Sequence, residues 1–231
     1  MKNVRLSTTF AHAATRTLLA VTLALPLAAP LDAKAQTATP ATEQRADTTT
    51  VVTWGDSIGN AIGRSLSGEF AHLINRGKDG SGLLIPNRSN SLDNVPRGAV
   101  VLMSIGTNDV GALLGAGPRT LARYAEQVMQ QAEHVREQGA KPIIIGMQAP
   151  TAPYTGNPEI WNKPGFINAW IATMNGVNTA IAAAAKKHNV AYSTVSGRVT
   201  ERADDHLHYT AQGSHHIAEN AFRDAGIKFR R

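Results

Sequence analysis

Two short stretches, Ala99–Ile105 and Pro142–Gly146, restrict what this chain can fold into more than any other feature. Residues 100–105 and 143–145 are nearly continuous apolar runs. A strand with one wet face alternates apolar and polar side chains, whereas runs like these suit strands covered on both faces. Thr50–Trp54, Ala71–Ile74 and Val190–Thr194 are further strand candidates. Helical patterns lie between them. Leu121, Ala125, Val128, Ala132 and Val135 keep helical spacing over Pro118 to Gln138, and Gly139 suits the stop. Phe166, Trp170, Met174, Val177 and Ile181 form one stripe over Phe166 to His188. A last helix follows Thr210, a plausible N-cap, and ends near Gly226. Strands separated by helices predict an α/β fold: a parallel sheet with helices on both faces.

This pattern begins only at Thr50. Lys2, Arg5 and Arg16 precede an apolar run from Thr17 to Leu31, and Ala33-Lys34-Ala35 makes a small-x-small cleavage site before Gln36. Residues 1–35 read as a secretory signal peptide. The run is short and holds Pro26 and Pro30, so no stable membrane insertion is expected. Residues 36–49 are rich in Thr and Ala and read as a flexible linker. Residues 50–231 suit one domain. The expected location is the periplasm, or the medium after secretion. The leader holds four of the 23 basic and one of the 17 acidic residues, which leaves 19 against 16. That balance is too mild to argue for nucleic acid. The chain has no cysteine, hence neither a disulfide framework nor a thiolate metal site.

Ligands of open parallel sheets bind beyond the carboxyl ends of the strands. The residues expected there look chemical. Gly55-Asp56-Ser57 follows the first strand candidate, the Gly-rich turn Asn75 to Gly82 the second, and Gly106-Thr107-Asn108-Asp109 the third. A serine on a tight strand-to-helix turn is exposed, rigid and near a helix N-terminus, as a nucleophile needs to be. Alone, the tripeptide reads more readily as an ordinary turn with Asp56 and Ser57 as caps, and the rest of the sequence decides. Backbone N–H groups of the Gly-rich turn and the Asn108 amide would supply donors for an oxyanion. A base is available in Asp204-Asp205-His206-Leu207-His208: an Asp three residues before a His can orient the imidazole, leaving its other nitrogen for the serine. Asp205 stands three before His208, whereas Ala203 stands three before His206, so His208 is the expected base and His206 a pocket neighbour. Asp204 reads as a solvated loop residue; Asp56 and Asp109 read as residues that shape their turns.

Gly55-Asp56-Ser57, Asn75-x-Gly77-x-x-Gly80, Gly106-Thr107-Asn108-Asp109 and Asp205-x-x-His208 resemble the ordered blocks of the SGNH (GDSL) hydrolases, across nearly all of residues 50–231. The resemblance implies a flavodoxin-like three-layer αβα sandwich with a five-stranded parallel sheet. It implies ester hydrolysis or acyl transfer without a cofactor. By it, Ser57 is the nucleophile, His208 the base and Asp205 its partner. The Ser57 N–H, the Gly80 N–H and the Asn108 amide make the oxyanion hole, with Gly77 and Gly82 as close competitors of Gly80. Exported members often act on short acyl groups of polysaccharides. Some exopolysaccharide systems, including cellulose-producing ones, carry such a protein beside an acyltransferase, so an acylated carbohydrate and polysaccharide-synthesis machinery are the partners implied.

Other readings compete. Gly55-Asp56-Ser57-Ile58-Gly59 matches the G-x-S-x-G elbow of α/β-hydrolases, but that fold places strands and an oxyanion loop before its nucleophile. His206, His208, His215 and His216 cluster as metal ligands can, yet without a Cys, an H-E-x-x-H or a third-ligand spacing, and no metal is expected. The Pro-rich loop from Ala149 carries Tyr154 and Trp161, which could face a sugar ring or cap the core. A non-catalytic carbohydrate-binding or assembly factor would be free to lose any of Ser57, Asn108, Asp205 and His208; this chain has all four.

Overall fold

A computed structural model of the protein describes residues 49–85, 90–194 and 199–228. They belong to one compact unit, Thr42–Arg231. The expected leader, and the linker up to residue 48, lie outside the described residues. No helix among the described residues is long and apolar enough to cross a membrane.

Five parallel strands make the sheet: β1 (Val51–Gly55), β2 (Leu73–Gly77), β3 (Val100–Ser104), β4 (Lys141–Ile145) and β5 (Ala191–Ser193). Their order is β2-β1-β3-β4-β5, the flavodoxin-like order, whose switch point lies between β1 and β3. Helices α1 (Ser57–Ser65), α2 (Pro118–Glu137), α3 (Pro158–Trp161), α4 (Phe166–Lys187) and α5 (Ala211–Asp224) connect or flank the strands, with a 3-10 turn over Asp109–Leu113. Side chains alternate across each strand. Val52, Trp54, Val101, Met103 and Ile144 pack with Val128, Met129 and Ala132 of α2 and Met174, Val177 and Ile181 of α4. Val51, Val100, Leu102, Ile143 and Ile145 pack with Ile58 and Ile62 of α1 and Ile217, Ala218 and Phe222 of α5. The two apolar layers sandwich the sheet, so the three-layer α/β architecture expected from the runs is the one observed.

β2 departs from expectation. It covers Leu73–Gly77 rather than Ala71–Ile74, so Asn75, Arg76 and Gly77 lie in the strand and not in the turn beyond it. This edge strand is half-exposed, and its polar side chains find partners outside the ladder. The Asn75 amide donates to Asn60, and Arg76 donates to the Asp93 and Asn94 carbonyls. The extension brings Gly77 opposite Gly55, which faces Ser104 on its other side. The carboxyl ends of β1, β2 and β3 therefore finish level.

Candidate active site

Gly55 ends β1 at φ 133°, and a Cβ there would sit 1.6 Å from the Ser104 carbonyl oxygen. Only glycine allows β1 to turn so close against β3. The Gly55 carbonyl accepts three bonds: from the Lys78 N–H (2.9 Å), the Ser81 hydroxyl (2.8 Å) and the Asn90 amide (2.9 Å). The turn into α1 is thus tied to the loop after β2. Asp56, fully buried, N-caps α1 by accepting from the Ile58 N–H at 2.9 Å, and its other oxygen accepts from the Thr107 N–H at 3.2 Å. Burial pushes its carboxyl up to about 6, against the lowering effect of those bonds. Asp109, also buried, accepts from the Leu83 and Leu84 N–H groups at 2.9 Å and from the Tyr124 hydroxyl at 2.7 Å. Both carboxylates brace loops.

Ser57 is the first residue of α1 and half-buried. Its Oγ lies 2.8 Å from His208 Nε2. His208 Nδ1 lies 2.5 Å from Asp205 Oδ2, while Asp205 Oδ1 accepts from the Leu207 N–H (3.0 Å) and the His208 N–H (2.9 Å). Partial burial pushes the Asp205 carboxyl up, but the bonds from the His208 ring and the two N–H groups outweigh it, and the group ends below the usual carboxylate range. With Asp205 ionised, Nδ1 carries the ring proton and Nε2 is left to accept from the Ser57 hydroxyl. That chain can draw a proton from serine and return it to a leaving group. The His208 and Asp205 side chains are 27% and 28% exposed, open enough for a substrate to approach.

The three expected oxyanion donors follow the carboxyl ends of β1, β2 and β3. The Ser57 N–H is one of the helix-start donors without an intrahelical acceptor. Gly80, at φ 74°, has an N–H that meets no acceptor among the described residues. Asn108 Nδ2 donates one hydrogen to the Ser81 carbonyl at 2.9 Å, which aims the amide and leaves its second hydrogen available.

The remaining expected residues separate. His206 has φ 67° and a carbonyl that accepts from the Thr151 N–H, and Asp204 is exposed. His215 and His216 lie on α5 and pair with Glu69 and Glu201. No group of three or more His, Asp or Glu among the described residues could hold a metal ion. Tyr154 is half-buried with its ring edge-on to His208 at 5.9 Å, beside the acid–base loop. Trp161 requires correction. It is 6% exposed, packed on Phe166 at 5.3 Å and Trp170 at 4.8 Å, so it offers no open face to a sugar. Burying the large indole among rings gains more than leaving it in a wet loop. Sequence reasoning missed Ser81, Asn90 and Arg202. Their partners are backbone carbonyls brought near by folding, and such contacts leave no spacing to read.

The model of the GDSL-like Lipase/Acylhydrolase family matches residues 41–216. None of the curated proteins matches the chain. Solved structures share the fold at low identity. A carbohydrate acetylesterase from Sinorhizobium meliloti, Est24, superposes with a TM-score of 0.57 at 18% identity, covering 78% of this chain and 99% of that one. An aryl esterase of M. smegmatis gives 0.56 at 15% identity, covering 78% and 100%. A GDSL-like lipase from Bacteroides thetaiotaomicron gives 0.55 at 22% identity, covering 77% and 87%.

Proposed function

This chain belongs to the GDSL-like lipase/acylhydrolase family, an ester-hydrolysing family, and from that premise we propose that it is an exported serine esterase that takes short acyl groups from a carbohydrate. The observation that carries the reading is the unbroken hydrogen-bond chain Ser57–His208–Asp205. In the proposed cycle, His208 Nε2 removes the Ser57 proton as Oγ attacks the ester carbonyl carbon. The negative charge on the carbonyl oxygen is met by the Ser57 and Gly80 N–H groups and the Asn108 amide. Asp205 holds the imidazolium that forms. The C–O bond to the sugar oxygen breaks, that oxygen takes the proton from His208, and Ser57 is left acylated. Water, activated by the same imidazole, frees the acid and restores Ser57. An alcohol entering in place of water would make the same acyl-enzyme serve transfer.

Support for export comes from the signal-like residues 1–35. Support for a sugar ester comes from the half-exposed Tyr154 ring beside His208 and from the carbohydrate acetylesterases among proteins of the same fold. Polysaccharide synthesis or export is the setting that agrees with both. The test is a fluorophosphonate probe followed by intact-mass analysis and mapping of the adduct. One adduct is expected, on Ser57. Ser57→Ala should stay folded, take no probe and lose at least about a thousandfold in small-ester turnover. A folded wild type that neither labels nor hydrolyses esters would favour a binding or assembly role.

A further inference from the structure

His208 can serve only if its ring stays within bonding distance of both Ser57 and Asp205, and its loop lies outside regular structure. Arg202, which no motif marks, grips that loop from three sides. Its guanidinium donates to the Leu207 carbonyl, one residue before His208. It donates to the Ala149 carbonyl at 2.6 Å and the Gln148 carbonyl at 3.2 Å, beyond the end of β4. It also lies 4.0 Å over the ring of Tyr209, one residue after His208. Tyr209 completes the clamp, because its hydroxyl donates to Gln148 Oε1 and Gln148 Nε2 donates to the Val199 carbonyl at 2.7 Å. The backbone closes the same loop: Arg202 pairs with Tyr209 in an antiparallel bridge, and the Ala203 N–H donates to the His208 carbonyl at 3.0 Å. The residues on both sides of His208 are therefore tied by Arg202 to the segment that follows β4.

We infer that Arg202 is the positioning residue of the acid–base loop, fixing Leu207 and Tyr209 against Gln148 and Ala149 beyond β4 so that His208 Nε2 stays on Ser57 Oγ. The inference rests on the proposed roles of Ser57 and His208. A planar fork with five N–H donors can serve carbonyls on two loops at once while its face stacks on Tyr209. A lysine ammonium is a single point of charge and cannot reproduce that spread. Misplacement of a reacting group by about 1 Å can cost on the order of a hundredfold in rate. The substrate's own contacts are untouched by the clamp, so the loss belongs in kcat and not in KM.

The test compares wild type, Arg202→Ala and Arg202→Lys well below their melting temperatures. Expected for both variants is a fall in kcat of about ten- to a hundredfold, KM within about twofold, and an equal slowing of fluorophosphonate labelling at Ser57. Methylguanidinium added to Arg202→Ala should restore part of kcat, because the clamp needs the fork. The downfield proton resonance of His208 Nδ1–H, expected for its short bond to Asp205, should broaden or vanish in both variants while methyl signals stay native. Wild-type kcat in Arg202→Lys would overturn the inference, as would a loss confined to KM or a retained Nδ1–H resonance beside the lowered kcat. Failure of both variants to fold would reduce Arg202 to a folding residue and overturn it too. Failure of the underlying reading is distinct: the wild type itself would then carry no adduct on Ser57.

Discussion

His208 is bonded at both ring nitrogens, to Ser57 and to Asp205, whereas no described residue bonds the ring of His206. His208→Ala should therefore lose nearly as much kcat as Ser57→Ala, and His206→Ala far less. Equal losses, measured on one small ester, would assign the base to a shared pair. Asp56 differs from Asp205 in environment and hence in its effect on stability. Burial raises the Asp56 carboxyl from 3.8 to about 6 in the folded protein. Between those values the folded state keeps a proton that the unfolded chain has released. Its contribution to folding is therefore full at low pH and is lost as the pH rises through about 6. At neutral pH, holding the buried carboxylate ionised costs about 3 kcal/mol. Asp56→Asn removes that titration. Its stability relative to wild type, read from urea unfolding, should rise by about 2 kcal/mol between pH 4 and pH 7. A pH-independent difference would show that Asp56 ionises like an exposed carboxylate.

The short helix α3 shows why an element and not a residue decides what Trp161 does. α3 lays the indole against Phe166 and Trp170 at the start of α4, with Tyr154 edge-on at 6.0 Å. Trp161→Ala should cost about 3–5 kcal/mol of unfolding free energy. It should lower turnover of p-nitrophenyl acetate and of an acetylated polysaccharide alike. A selective loss on the polysaccharide, at unchanged stability, would return Trp161 to the substrate. The elements that the sequence displays are those whose burial pattern is simple. β3 and β4 are continuous apolar runs because both faces are covered, and α2 and α4 keep a helical stripe because one face is. α3 is four residues inside a Pro-rich loop, too short for any period. β2 is an edge strand whose Asn75 and Arg76 bond to Asn60, Asp93 and Asn94, so its pattern looks like a turn. The site divides in the same way. Ser57, Asn108, Asp205 and His208 stand in local motifs at strand ends. Ser81, Asn90 and Arg202 act on carbonyls of Gly55, Leu207, Gln148 and Ala149, and only the folded chain brings those near.

At the scale of the molecule, the sheet order puts the switch point between β1 and β3, and Ser57, Gly80 and Asn108 follow β1, β2 and β3 there. A substrate must reach this edge from outside, because the strands below it are filled by the two apolar layers. If the proposed short-acyl specificity holds, acetyl esters should be turned over faster than octanoyl esters of the same alcohol. A chain-length series that peaks at eight or more carbons would refute the preference. Tyr154 presents a half-buried ring beside His208, the group that hands its proton to the leaving alcohol in the proposed cycle. Tyr154→Ala should then weaken kcat/KM for an acetylated polysaccharide several-fold more than for p-nitrophenyl acetate, since only the polymer extends across that ring. An equal effect on both substrates would make Tyr154 a wall of the His208 loop, and the preference for carbohydrate would lose its structural basis in this chain.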